Sequence, residues 1–299
     1  MNPLRVHDRE EFYKYMSATT ALAVLGNKTL RWSSPAEFND PFDVPVELAH
    51  DIAPLEIKSK IGEVLISLFR DETIDLSRFS EKVQVASQLV RRVDKHTQAE
   101  IEEAILEEVN KTFEKSESLE ELRSHWRELI PDFRILCFST VNDAASMWYH
   151  YAGKYSGVVV EISCSDELDS PWLLAKPVDY PIDPPDLFSA KGWAELLMMP
   201  IEKAFENVLD AYTYNKTPDW RYEEEWRITR FKRAEEVGTI SDYPLNPLHF
   251  TKIYLGPLID PENKTKILKL AKANIPHARV YDVGFGLNRK FQFNEIKNG

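Results

Sequence analysis

Two carboxylates and an arginine fall within five residues late in the chain, in "YEEEWRI", Tyr222 to Ile228. In a strand Glu223, Glu225 and Arg227 would share one side, with Glu224 and Trp226 on the other. Three charged groups on one strand face are costly to bury unless they are paired. A solvent face accommodates them. So does a cleft edge, where one carboxylate grips hydroxyls and Arg227 sets its charge and orientation. A second concentration is "FSTVNDAASMWYHYAG", Phe138 to Gly153. Ser139 and Thr140 stand where a strand should end, and a hydroxyl there can bind a carboxylate, a ribose or the amide of the next helix. Trp148, Tyr149 and Tyr151 suit stacking on a flat ring, and equally suit a core.

A third candidate is "SSPAEFNDPFDVP", Ser33 to Pro45. Pro35 fixes one dihedral, Asn39 and Asp40 can bond nearby backbone amides, and Pro41 biases Asp40 towards an extended shape. Phe38 and Phe42 ride on this stiff loop, and burying each would contribute about 2 kcal/mol, enough to pin it to a core. Asn39 and Asp40, placed between the rings, suit a site rim.

Other chemistries find no pattern. There is no glycine-rich phosphate loop and no His-Glu-x-x-His, and His150 is the one histidine in the central segment. Asp40, Asp43, Glu223 and Glu225 could converge on a divalent metal for phosphodiester cleavage, but no ligand spacing supports it. No metal site is expected.

The elements that must position these residues read as follows. "EEFYKY" is a strand or helix start, and in a strand Tyr13 and Tyr15 share a face. Ala21 to Leu25 is helical and stops at Gly26 and Asn27; Thr29 to Trp32 is a strand. From about residue 52 to about 129 apolar residues recur at three- and four-residue spacing, a helical insertion in which Glu100, Glu102, Glu103, Glu107 and Glu108 form a solvated face. Phe133 to Thr140 is a strand, "AASMWYHYA" a short helix or turn, and "SGVVVEIS" a buried strand. A second helical segment, about 192–214, carries Pro200 near its middle and so kinks or divides. "EEEWRITRF", "FTKIYLGPLI" and "ARVYDVGFG" are late strands, with a helix at "ENKTKILKLAKANI". Sheet and helix mix without strict alternation, so the expected class is α+β, a single domain with a mixed or antiparallel core sheet.

The chain has 299 residues, 43% of them hydrophobic, and a formal net charge of -12. That charge argues against broad electrostatic attraction to nucleic acid or anionic membranes, though it leaves room for a local basic groove. Two cysteines, Cys137 and Cys164, without a Cys-x-x-Cys pair fit a reducing compartment. The polar opening "MNPLRVHDREEFYKY" is unlike a signal peptide, and no run is long enough to span a bilayer. A cytoplasmic protein of bacterial style is expected.

Taken together, the motifs resemble DUF2971, a family of uncharacterised bacterial proteins. Tyr13 and Tyr15 match its opening. Ser33, Pro35, Phe38, Asn39, Asp40, Pro41 and Phe42 match its turn. Cys137, Phe138, Ser139, Met147, Trp148, Tyr151, Ala152 and Gly157 match its centre, and Glu223, Glu225, Trp226 and Arg227 its end, with "IYLGP" following. The resemblance runs from about residue 12 to about residue 260. It implies no activity.

The motif order is also similar to that of ADP-ribosyltransferases, which use an Arg or His on a first strand, a Ser-Thr-Ser stretch and a Glu-x-Glu. That likeness implies an ADP-ribosyltransferase-like fold and NAD as the bound nucleotide. Glu225 would be catalytic, Glu223 would orient or deprotonate an unknown macromolecular or small-molecule acceptor, and Ser139 would hold the ribose or orient Glu225. Tyr13, Lys14, Tyr15, Thr140 and Tyr151 would line the NAD site, with Tyr151 or Tyr15 stacking on nicotinamide. The first motif departs, offering Lys14 where Arg or His is expected; a lysine holds a phosphate as a point charge without the planar fork. The competing expectation is a non-catalytic interaction module, in which Asn39, Asp40 and Arg227 form a buried polar network and the aromatics, Trp148 included, only pack.

Overall fold

The computed structural model describes residues 3–48, 52–113, 118–168, 170–183 and 185–296. The chain divides into two compact units, one made of residues 1–40, 131–180 and 216–299, the other of residues 41–130 and 181–215. All ten strands described belong to the first unit.

The strands are β1 (Glu11–Met16), β2 (Thr29–Ser33), β3 (Phe133–Ser139), β4 (Val158–Ser163), β5 (Lys176–Pro177), β6 (Glu225–Phe231), β7 (Ile240–Pro244), β8 (Phe250–Leu255), β9 (Arg279–Phe285) and β10 (Phe291–Glu295). Their order is β10-β9-β8-β4-β1-β3-β2-β7, with β6 added to β3 and β5 to β6. Every pairing is antiparallel except β8 with β9, which are parallel and joined through helix α9 (Pro261–Asn274). The class is therefore α+β with a mixed, mostly antiparallel sheet. The sheet forks at β3: β3 meets β1 at Tyr13–Ser139, β2 at Ser33–Ile135, and β6 along its whole length.

Alternation gives the sheet two faces. On one, Phe12, Leu136, Phe138, Val158, Val160, Ile228 and Ile253 are buried under helix α1 (Ala18–Asn27) and α9. Ser17 caps α1, its hydroxyl accepting from the Thr20 amide. The helix runs through Gly26 and ends at Lys28, whose φ of 56° turns the chain into β2; the stop lies one residue past the expected Gly26–Asn27 pair. The other face carries Tyr15, Val159, Tyr254 and Val283 under helix α6 (Ala145–His150), with Trp148 fully buried. Three successive left-handed residues, Gly153, Lys154 and Tyr155 (φ 56°, 54° and 69°), carry α6 into β4. The approach is tight: a Cβ on Gly157 would lie 2.3 Å from the Met16 carbonyl oxygen. Only glycine fits there.

The second unit is helical: α2 (Pro54–Arg70), α3 (Glu81–Val90), α4 (Lys95–Phe113), α5 (Ser118–Leu129), α7 (Ala190–Leu196) and α8 (Ile201–Thr213). Both segments expected to be helical fall in it. Pro200 divides the later one into two helices, as the N-cap of α8. Glu102 departs from the expected solvated face. It is buried, and Arg70 clamps it with two bonds of 3.0 and 2.6 Å. Phe42 also departs: 78% of it is exposed, and Val44 and Leu48 turn inward instead, so Phe42 does not pin the loop. No helix among the described residues is long and apolar enough to cross a membrane.

Candidate active site

The strand β6 starts two residues later than its charge pattern suggests. Pro218 to Glu223 form a 3-10 turn, Glu224 adopts φ 41°, and extended backbone begins at Glu225. A left-handed residue other than glycine costs about 1–2 kcal/mol. Thr140 offsets this, its amide donating to the Glu224 carbonyl (3.2 Å) and its hydroxyl to the Glu224 carboxylate (2.7 Å). Glu223 thus reaches Glu225 through a turn, not through strand alternation.

What joins the two carboxylates is Lys216. Its ammonium donates to Glu223 Oε2 at 2.7 Å and to Glu225 Oε2 at 3.3 Å. Arg227, two residues along β6, donates from Nε to Glu225 Oε1 (2.8 Å) and from Nη2 to Oε2 (2.9 Å). The Tyr151 hydroxyl donates to Glu223 Oε1 at 2.6 Å. The Ser139 hydroxyl donates to the Glu223 carbonyl at 2.6 Å, and the Tyr180 hydroxyl accepts from the Glu225 amide at 3.0 Å. Exposures of 8% for Lys216, 3% for Glu223, 5% for Glu225 and 0% for Arg227 put the whole cluster out of bulk water. In such a setting one unpaired charge would cost several kcal/mol, so two cations and two carboxylates must assemble together.

The two carboxyls are poised apart. Burial and the neighbouring Glu225 push Glu223 up to about 7, against the opposing pull of Lys216 and Tyr151. Burial also opposes ionisation of Glu225, but Arg227 and Lys216 outweigh it and hold that carboxyl well below the usual range. Burial, reinforced by Glu223, pushes the Tyr151 phenol up. The Cys137 thiol is likewise raised by burial and by the nearby charge of Glu225. Near neutral pH the site therefore holds one carboxylate that stays ionised and one that exchanges a proton. Divergence of this kind lets two neighbouring carboxyls differ in protonation at one pH.

Of the expected site residues, Ser139, Tyr151, Glu223, Glu225 and Arg227 come together. Ser139 is buried; its hydroxyl donates to the Glu223 carbonyl and accepts from the Val141 amide (3.2 Å), so it positions Glu223. Arg227 is at the centre, not the rim, with its guanidinium 5.4 Å from the Phe38 ring. Thr140 braces Glu224. Lys14 is bonded to the Cys137 carbonyl at 2.6 Å and lies outside the carboxylate pair's contacts. Tyr15 is core: its hydroxyl donates to the Val141 carbonyl and its ring meets Trp148 edge-on. Tyr13 turns to Glu161, another buried carboxylate, held by Thr251, Lys252 and Tyr254. Trp148 fills the core beneath α6 and donates to the Asn142 carbonyl. Asp40 is buried and Asn39 exposed. Among the described residues no group of three or more His, Cys, Asp or Glu side chains is disposed to hold a metal ion.

Sequence reasoning missed Lys216 and the ring cluster beside it. A signal for the lysine existed: two carboxylates and one arginine on a buried face leave one negative charge over, which demands another cation nearby. Trp220, Tyr222 and His150 lie next to it, Trp220 and Tyr222 half-buried and His150 exposed.

Residues 147–228 match the family described as Protein of unknown function (DUF2971). This is a shorter stretch than the expected resemblance, and it leaves the Ser33–Pro45 turn outside. It contains Glu223 and Glu225 and the three side chains that donate hydrogen bonds to their carboxylates, Tyr151, Lys216 and Arg227, but not Cys137. No curated protein and no solved structure matches the chain.

Proposed function

We propose that the chain is an NAD-consuming enzyme of ADP-ribosyltransferase type, with an ADP-ribosyltransferase-like use of Glu223 and Glu225. The observation that carries this reading is the opposed poise of two carboxyls bridged by one lysine. The residues suit the substrate: an ionised carboxylate for ribose hydroxyls and developing positive charge, and flat rings beside it. Nicotinamide leaves NAD as a neutral molecule, taking the glycosidic electron pair, so its departure needs no acid. Glu225, ionised, stabilises the positive charge that builds on the ribosyl carbon. Glu223, poised near neutrality, accepts the proton that the acceptor's O–H or N–H releases as its bond to that carbon forms. Lys216 and Arg227 keep Glu225 ionised; Tyr151 and Ser139 hold Glu223 in place. Substrate contact with Glu225 requires Lys216 or the Pro218–Glu223 turn to move aside.

A second reading is a non-catalytic interaction module. Every carboxylate oxygen of Glu223 and Glu225 already accepts a hydrogen bond, as in a network that only locks the turn to the sheet. Nicotinamide release from NAD separates the two. The enzyme reading expects turnover by the intact chain and its loss in Glu225→Gln, with circular dichroism unchanged. Absence of turnover in the intact chain under any acceptor condition, or equal turnover in the variant, refutes it.

A further inference from the structure

We propose that Trp220, Tyr222 and His150 form a stacking platform for a neutral purine base, the adenine end of the dinucleotide, which Lys216 joins to the Glu223–Glu225 pair. Tyr222 and Trp220 belong to the 3-10 turn that ends at Glu223, and His150 is the last residue of α6. Two separate elements thus bring three flat side chains together. The His150 and Tyr222 rings are 6.4 Å apart and inclined by 27°, Trp220 is 6.0 Å from Tyr222, and His150 is 6.4 Å from Trp220. Neither Trp220 nor His150 belongs to the two apolar clusters that bury the sheet's faces. Large rings left partly in water beside a buried ionic cluster are better placed for a ligand than for packing. Base stacking on aromatic side chains supplies that role without needing a hydrogen-bond code.

Charge selects which ring stacks. The Lys216 ammonium lies 4.7 Å from the Trp220 ring centroid, so that ring's electron density is already drawn to a cation. A second cation on the platform, such as the pyridinium of oxidised nicotinamide, would meet Lys216 at short range. A neutral purine would not. The pyridinium is better matched by ionised Glu225, which leaves adenine for the rings. This assignment rests on the N-glycosidic reading of the carboxylates, but its failure is separable from the failure of that reading.

The test is calorimetric titration of the intact chain with AMP and, separately, with nicotinamide mononucleotide. Stacking on an aromatic residue changes affinity by about 5-fold or more. Trp220→Leu and His150→Ala should each weaken AMP by at least that factor and leave nicotinamide mononucleotide much less affected, while Trp220→Phe retains AMP. His150 is exposed, so its variant stays folded even where removal of Trp220 disturbs Lys216. AMP affinity unchanged in His150→Ala, no AMP binding by the intact chain, or a selective loss of nicotinamide mononucleotide overturns the platform. AMP binding that depends on the rings, with no NAD turnover, keeps the platform and overturns the enzyme. Turnover lost in Glu225→Gln, with AMP indifferent to the rings, does the reverse.

Discussion

Replacing Glu223 with glutamine removes one titrating proton from the cluster while keeping its shape, and the consequence can be worked out in sign and size. The Glu223 carboxyl rises from its ordinary 4.5 to about 7, through burial first and Glu225 second. Below pH 4.5 the folded and unfolded chains both hold this proton. Between 4.5 and 7 the folded chain keeps a proton that the unfolded chain releases, so stability falls as pH rises, and the loss is complete above the folded value. At about 1.4 kcal/mol per pH unit that window amounts to about 3 kcal/mol. Glu225 runs the other way. Its depressed carboxyl contributes fully above its ordinary range and loses that contribution on acidification below it. The cluster therefore stabilises the fold most at mildly acidic pH, where Glu223 is protonated and Glu225 is not. Urea unfolding of the native chain and of Glu223→Gln, stepped from pH 4.5 to pH 8, reads the difference. His7 and His249, both lowered by burial, lose stability on acidification in both proteins and cancel in the subtraction. The native chain should lose about 3 kcal/mol relative to the variant across the window. Parallel curves would refute the poise of Glu223, and with it the assignment of a base.

Ser139→Ala removes the hydroxyl that donates to the buried Glu223 carbonyl at 2.6 Å and should cost about 1–3 kcal/mol by urea midpoint; an unchanged midpoint means the bond is replaced. Gly157→Ala would force a Cβ to within 2.3 Å of the Met16 carbonyl and 2.7 Å of Ala152, and should abolish soluble folded protein. Gly26→Ala, in a helix with nothing within 4 Å of the new methyl, should instead raise the melting temperature through about 0.5–1 kcal/mol; a fall would show that the position is not plainly helical.

Much of the sheet could be read ahead of the structure because its strands are apolar runs with turn residues between them. β3, β4 and β8 are of this kind, as is the division of a helix at Pro200. β7 and β10 escaped notice. They lie at the sheet's ends, where half the residues face water, and "ISDYP" and "FQFNE" lack the apolar density that marks a central strand. Of the site, the members close together in sequence were visible: Glu223, Glu225 and Arg227 announce themselves in one heptapeptide. Their environment was not. Whether such a face is wet or dry depends on what α6 and the Pro218–Glu223 turn cover, and periodicity does not report that. Lys216 lay in an irregular stretch, and Lys14 drew attention because its position matched a motif. The lysine used is the one whose backbone is held at the Asp179 carbonyl, beside the strand end. Phe42 misled because hydrophobicity alone does not say which way a loop residue points; Val44, two residues on, takes the burial.

The position of β1 has a consequence for biosynthesis. This strand, the earliest in the chain, is hydrogen-bonded between β3 and β4, and β3 in turn carries β6 on its far edge. As the ribosome delivers the chain, residues 11–16 must wait for β3, complete at residue 139, before a first partner appears, and for β4, complete at residue 163, before most of their ladder can form; the acid–lysine cluster must wait until β6 is complete at residue 231. An amphipathic segment left waiting so long is a target for chaperones and for mispairing with other chains. Its alternating tyrosines and lysine keep that idle segment from being a bare apolar ribbon. Whatever reactivity the two glutamates hold, a nascent chain does not possess it until the ribosome has passed residue 231.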